Sequence, residues 1–158
     1  MKIIINRQVV DDQWTVAAPD EAVPAGDVIV SLSLWQAQCD TLAERAGRLG
    51  LWLEGDDELE TLTDELSRFD LIAINFPKYT DGRGFSLARL LRDRFDYQGE
   101  IRAVGNILRD QLNFLERCGF NAFVLESYDP QESLKSFDDI SIKYQTAADK
   151  VQPVYRLR

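Results

Sequence analysis

The chain has 158 residues, 45% of them hydrophobic and 28% charged, with a formal net charge of −9 and no histidine. The length fits one compact domain, and the composition excludes wholesale disorder. Without histidine, Ser-His-Asp and Cys-His nucleophilic systems and histidine-ligated metals are excluded, and the presence of only two cysteines argues against a zinc site. An all-oxygen Mg²⁺ or Ca²⁺ site stays open, but no EF-hand spacing occurs, and no metal or cofactor is expected. The acidity argues against nucleic acid and anionic membranes as partners. No apolar run approaches the roughly 20 residues needed to cross a bilayer, and the patch at Ile3–Ile5 is too short for a signal-peptide core. A cytoplasmic protein is expected, with Cys39 and Cys118 as buried free thiols.

In chain order, Ile3–Ile5 and Gln8–Val10 flank a short Asn6-Arg7 turn, and Trp14–Val16 adds a third short strand. Pro19, Pro24 and Gly26 then break the chain, so residues 1–26 read as a hairpin or short meander followed by a loop. Val28–Leu32 is a strand candidate, followed by a helical stripe of Trp35, Cys39, Leu42, Ala43 and Ala46. Leu51–Leu53 is the next strand. Asp57 with Glu60 three residues on predicts a capped helix with an apolar face of Leu59, Leu62, Leu66 and Phe69. Leu71–Phe76 is the most strand-like run, and Leu87, Leu90, Leu91 and Phe95 form the helical stripe after it. Ile101–Val104 leads through Gly105-Asn106 into a helix bearing Leu108, Leu112 and Leu115, stopped by Gly119. Ala122–Leu125 precedes Asp129-Pro130, an N-cap with proline at the first helical position. Residues 141–158 read as an extended tail with a late strand at Val154–Leu157.

Five strand–helix units predict an α/β fold with a mostly parallel sheet of about five strands, flanking helices and an N-terminal β-hairpin. Five units suit an open doubly wound sheet, and a half-barrel is the alternative. The whole chain is expected to form a single domain.

In parallel α/β folds, ligands gather at the carboxyl ends of the strands. Four polar loops fall there: Glu54–Asp56, Asn75–Gly84, Gly105-Asn106 with Arg109, and Glu126–Tyr128. The second is the longest. It sets Lys78, Thr80, Asp81 and Arg83 among flexible glycines, with helix-start amides beyond Gly84 and Asn106 and with Asn75 at its base. Asn75, Lys78, Thr80, Asp81, Arg83, Asn106 and Arg109 are therefore the candidate residues for a small anion or a docking partner. Neither a Walker A loop nor a GxGxxG motif is present, and a lone lysine assigns no Schiff-base chemistry to Lys78.

Each candidate also has a plainer role. Asp81 can simply cap the helix that follows. Arg89 and Arg92 suit an outer helical face, solvated or paired with acids. Arg102, inside an otherwise apolar run, calls for a neighbouring carboxylate, and Trp35 and Trp52 read as core. Charge is uneven: Lys78–Arg117 holds eight basic and six acidic residues, against 10 basic and 21 acidic residues elsewhere.

From Phe76 to Arg92 (FPKYTDGRGFSLARLLR), through Gly99–Asn106 and Leu108–Leu112, to Arg117–Phe123, the sequence resembles a proteobacterial family. That family is catalogued as domain of unknown function 934 and is often labelled "probable oxidoreductase". Asn106 stands where many relatives are expected to carry aspartate. The resemblance implies a gene setting beside assimilatory sulfite reductase, hence an accessory protein docking on that reductase or its electron donor. The alternative is an α/β enzyme or small-anion binder, conceivably an oxidoreductase, working through Phe76–Gly84.

Overall fold

The computed structural model describes residues 1–139 and 147–148. The tail expected over 141–158, with its late strand, lies almost wholly outside them.

Eight strands form one sheet: β1 (Lys2–Ile5), β2 (Gln8–Asp11), β3 (Thr15–Val16), β4 (Val28–Ser31), β5 (Leu49–Leu53), β6 (Leu71–Phe76), β7 (Glu100–Gly105) and β8 (Ala122–Phe123). Their order is β2-β1-β8-β7-β6-β5-β4-β3. The strands from β3 to β8 are parallel, each beside its predecessor, while β1 pairs antiparallel with both β2 and β8. The hairpin turn Asn6-Arg7 has positive φ at both residues (49° and 62°), the twist a two-residue hairpin needs. Arg7 is held there by ion pairs to Glu116 and Asp138.

The sequence pattern leaves the layout between a doubly wound sheet and a half-barrel; the strand order decides for the half-barrel. Every unit steps the same way along the sheet, so the connecting helices share one face. The helices α1 (Leu32–Ala43), α2 (Arg83–Asp93) and α3 (Leu112–Cys118) bury Trp35, Leu42, Leu87, Leu91, Leu112 and Leu115 against Val30, Leu51, Ile72, Ile74, Ile101 and Ala103. The fourth helix, α4 (Pro130–Ser133), begins at the Asp129 cap as expected.

Curvature follows from chain length. A flat eight-stranded sheet would separate its edges by roughly 34 Å at the usual interstrand spacing. The two edge strands, β2 and β3, are joined only by Asp12, Gln13 and Trp14, a link that reaches at most about 14 Å. The sheet must therefore curl, and this link crosses its inner face. Asp12 accepts two 3.0 Å hydrogen bonds from Nη1 of Arg102 in β7. Trp14 sits over Gly50 of β5, where an added Cβ would meet the indole at 3.3 Å. Thus Trp14–Val16 belongs to the opposite edge of the sheet from the hairpin, and contributes a sixth parallel strand.

A second, smaller core fills the inner face: Ile3, Ile29, Leu71, Ala73, Val104 and Val124, with Trp14 and Trp52 against it. Arg102 lies among them with its side chain 2% exposed, and its Nε donates to Glu100 at 2.8 Å.

Three sequence expectations change. The capped helix after β5 is instead two 3-10 turns, Leu59–Leu62 and Leu66–Arg68. Asp57 accepts from the Glu54 amide, and Thr61 and Thr63 donate to the carbonyls of Glu58 and Glu60, local bonds that compete with α-helix. The apolar face survives, because Leu59, Leu62, Leu66 and Phe69 are all buried. Arg92 is a half-buried clamp, donating to the carbonyls of Tyr97 (2.6 Å), Gly99 (2.9 Å) and Gly119 (3.0 Å). Arg89, as expected, pairs with Asp93 on the exposed face. Finally, Trp35 is core but Trp52 is only half buried. Neither cysteine is in a disulfide; Cys118 is buried and Cys39 partly so.

Removing Asp12 leaves the buried Arg102 guanidinium paired with Glu100 but deprives its Nη1 of an acceptor. Asp12→Ala is expected to destabilise the fold by about 1–3 kcal/mol in urea denaturation. Asp12→Leu with Arg102→Met should recover most of that loss; an additive double variant would contradict the coupling. Arg92→Met should cost about 3 kcal/mol, since three carbonyls lose a charged donor.

Candidate functional site

The carboxyl ends of β5 to β8 meet at Asn75, the penultimate residue of the central strand β6. Asn75 Nδ2 donates to Glu54 Oε2 at 2.9 Å, and Glu54 Oε1 accepts from Trp52 Nε1 at 2.8 Å. One carboxylate thus fixes both the amide and the indole. Gly105, at the end of β7, lies so close that a Cβ there would meet Asn75 Oδ1 at 2.5 Å and the Phe76 carbonyl at 2.6 Å. Its φ of +89° is a second reason that only glycine fits. The turn is closed by Asn106 N–H donating to the Phe76 carbonyl at 2.7 Å.

Two cavities share this junction, both touching Asn75, Gly105 and Glu126. A polar one of about 360 Å³ lies outward, reaching Pro77, Asn106 and Ser127. A more apolar one of about 470 Å³ runs along the inner face past Trp14, Trp52, Val104 and Arg102. The structure therefore brings together two of the candidate residues, Asn75 and Asn106. The sequence names the loops Glu54–Asp56 and Glu126–Tyr128 without singling out Glu54 or Glu126. What could have found them is strand parity, because Trp52, Asn75 and Arg102 occupy inner-face positions of adjacent strands.

Lys78, Thr80, Asp81, Arg83 and Arg109 line neither cavity. Lys78, Tyr79, Thr80 and Arg83 are exposed. Asp81 accepts from Arg83 Nη2 at 2.7 Å, from its Nε at 3.0 Å and from its backbone N–H at 3.1 Å. Asp81 is not the N-cap of α2, which is Gly82; it makes a local turn onto the first helical amide. These bonds hold its carboxyl at a pKa of about 2, below the ordinary 3.8, and raise the Arg83 guanidinium. Gln111 Nε2 donates to the Tyr79 carbonyl at 2.9 Å, tying the loop to the turn before α3. Among the described residues Arg109 pairs with its neighbour Asp110, at 3.8 Å. Beside this loop Phe85 packs against Phe114 with ring centroids 5.0 Å apart, and Phe114 and Tyr79 are 54% and 50% exposed.

Among the described residues no three Cys, Asp or Glu side chains gather as metal ligands, and no helix is long and apolar enough to cross a membrane. Residues 50–155, more than half of the chain, match the family described as a bacterial protein of unknown function (DUF934). The chain belongs to the DUF934 family. No curated protein matches it. The match begins at Gly50 and so takes in the DUF934 portion of the junction, from Trp52 to Glu126. The β1–β2 hairpin and the crossing link Asp12–Trp14 lie before it.

The Asp81–Arg83 bonds have a consequence for acid stability. A carboxyl whose folded pKa is depressed stabilises the fold above its unfolded value, and that contribution fades as pH falls through about 2. The Asp81 carboxyl carbon should titrate by NMR with a midpoint near 2, and Arg83→Gln should move that midpoint up towards 3.8.

Proposed function

We propose that this DUF934 protein is an accessory protein of assimilatory sulfite reduction, docking on sulfite reductase or its electron donor through the Pro77–Gly82 loop and the adjoining aromatic surface. The observation that carries this reading is the state of the loop. Its charged groups stand on an exposed surface, with Asp81 and Arg83 paired to each other, outside the cavities at the strand ends. An enzyme using Lys78, Asp81 and Arg83 would need them converging on an enclosed reaction centre. The small-anion alternative also loses support: Asp81 occupies the Arg83 amide and guanidinium, the donors an anion at that helix start would use.

The surface has the chemistry of a docking site. Exposed Tyr79 and Phe114 supply amphipathic and aromatic contact area, and Lys78 and Arg109 supply positive charge around them. Aromatic residues and arginine carry much of the binding energy at protein interfaces. A partner with an acidic, partly apolar face fits. The link to sulfite reduction comes from the gene setting that the family resemblance implies.

The test is copurification of the full chain with sulfite reductase and, separately, with its electron donor. Tyr79→Ala and Phe114→Ala should each weaken the complex about tenfold, equivalent to about 1.4 kcal/mol, with unchanged circular dichroism. Lys78→Glu with Arg109→Glu should slow association and abolish its salt dependence. Failure to bind either protein, together with unimpaired sulfite reduction in a deletion strain, overturns the reading.

A further inference from the structure

The inner-face cavity is built for something other than docking. Its floor is Ile29, Val104 and Val124, all buried; Trp14 and Trp52 stand half exposed along its sides. Met1 and Val16, 78% and 55% exposed, mark the rim. A volume of about 470 Å³ falls in the range of small-molecule sites. The helices α1, α2 and α3 pack on the opposite face of the sheet, and the crossing link Asp12–Trp14 partly covers this one.

Two features give the cavity chemical character. Arg102 lines it, and Arg102 Nη2 is buried with no hydrogen-bond partner among the described residues, while Nη1 and Nε are taken by Asp12 and Glu100. A buried donor of this kind calls for an acceptor, and its residue lines a space large enough to bring one. The second feature is charge. Asp12 and Glu100 more than neutralise Arg102, and Glu126 on the rim and Glu54 behind Trp52 and Asn75 outnumber the Met1 amino group there. An anionic ligand is therefore repelled, whereas N–H donors are welcome beside the carboxylates. Trp52 is pre-set, because its Nε1 is held by Glu54, which is itself held by Asn75. A fixed indole face costs little to order around a flat ligand.

We infer that this cavity binds an uncharged, fused heteroaromatic lactam. Its ring lies against the Trp52 and Trp14 indoles, its carbonyl accepts from Arg102 Nη2, and its N–H faces the carboxylate-lined mouth. The site does not depend on the docking surface, since Tyr79 and Phe114 lie outside it.

Calorimetric titration of the full chain with four probes tests the assignment. Hypoxanthine has the ring and the lactam, 2-quinolone keeps the lactam on a carbocyclic fused ring, purine lacks the carbonyl, and inosine monophosphate adds a phosphate. Hypoxanthine should bind and shift the indole N–H resonance of Trp52, with purine and inosine monophosphate each at least tenfold weaker. Arg102→Met should abolish the preference for hypoxanthine over purine. Should that variant fail to fold, Trp52→Ala, at a half-exposed position, should weaken hypoxanthine at least tenfold while the circular dichroism holds. Equal binding of purine overturns the acceptor argument, and tighter binding of the nucleotide overturns the charge argument. Absence of binding by both hypoxanthine and 2-quinolone at millimolar concentration overturns the site.

Discussion

The ion pair between Asp12 and Arg102 is the constraint on which the rest of this molecule turns. Asp12 lies in a three-residue link between the two edges of an eight-stranded sheet, and Arg102 lies near the middle of that sheet. Burying a guanidinium in an apolar face costs several kcal/mol unless carboxylates compensate, so the site is stable only with the link laid across it. The pair thereby couples curvature to chain path. Both Asp12 oxygens engage Arg102, and Asp12 Oδ1 also accepts from the Trp14 amide, which sets Trp14 against the inner face. Gly50 leaves the room that this indole takes.

From this arrangement follows a division of labour between the two ends of the parallel strands. At the amino ends, Arg48 pairs with Asp27 at 2.6 Å and stacks over Trp14, and the buried Tyr97 hydroxyl donates to the Phe69 carbonyl. Burial also pushes the Tyr97 hydroxyl well above its ordinary pKa, so it stays protonated and keeps donating. Nearby, the Arg92 clamp gathers three backbone carbonyls. These groups satisfy one another and leave little for a ligand. At the carboxyl ends the polar groups border open space instead: Glu54 and Asn75 are linked, yet Asn75, Gly105 and Glu126 still line two cavities. Barrel-like folds commonly separate stability from function in this direction.

Much of the fold was legible because strands and helices carry their own periods. Leu71–Phe76 alternates between two buried faces, and the stripes of α2 and α3 mark their buried sides, while that of α1 holds at Trp35 and Leu42 but ends on the exposed Ala43 and Ala46. What was not legible depends on contacts between distant segments. Nothing local in Asp12–Trp14 shows that it crosses the sheet, although an arginine inside the apolar run Ile101–Val104 already called for a neighbouring carboxylate. Likewise Arg92 shares a helix with the exposed Arg89, and only the fold turns it inward to the carbonyls of Tyr97, Gly99 and Gly119. The turns after β5 escaped for the opposite reason. There, local threonine bonds outcompeted a helical pattern that was itself well formed.

The candidate site divides along the same line. Glycine, lysine and arginine in Phe76–Gly84 draw attention in a sequence, but Asp81 satisfies Arg83 locally, so the loop presents a surface and no enclosed centre. The residues that do converge, Trp52, Asn75 and Arg102, are unremarkable one by one and meet only because neighbouring parallel strands place them on one face. Trp52 reaches that face from β5, Asn75 from β6 and Arg102 from β7. No spacing within any single segment encodes their meeting, whereas strand parity does once the order of strands is known. Loop and cavity are thus physically separate features of one half-barrel. A change at Tyr79 or Phe114 leaves the Glu54–Asn75–Trp52 linkage untouched, and a change at Trp52 leaves the exposed loop as it was.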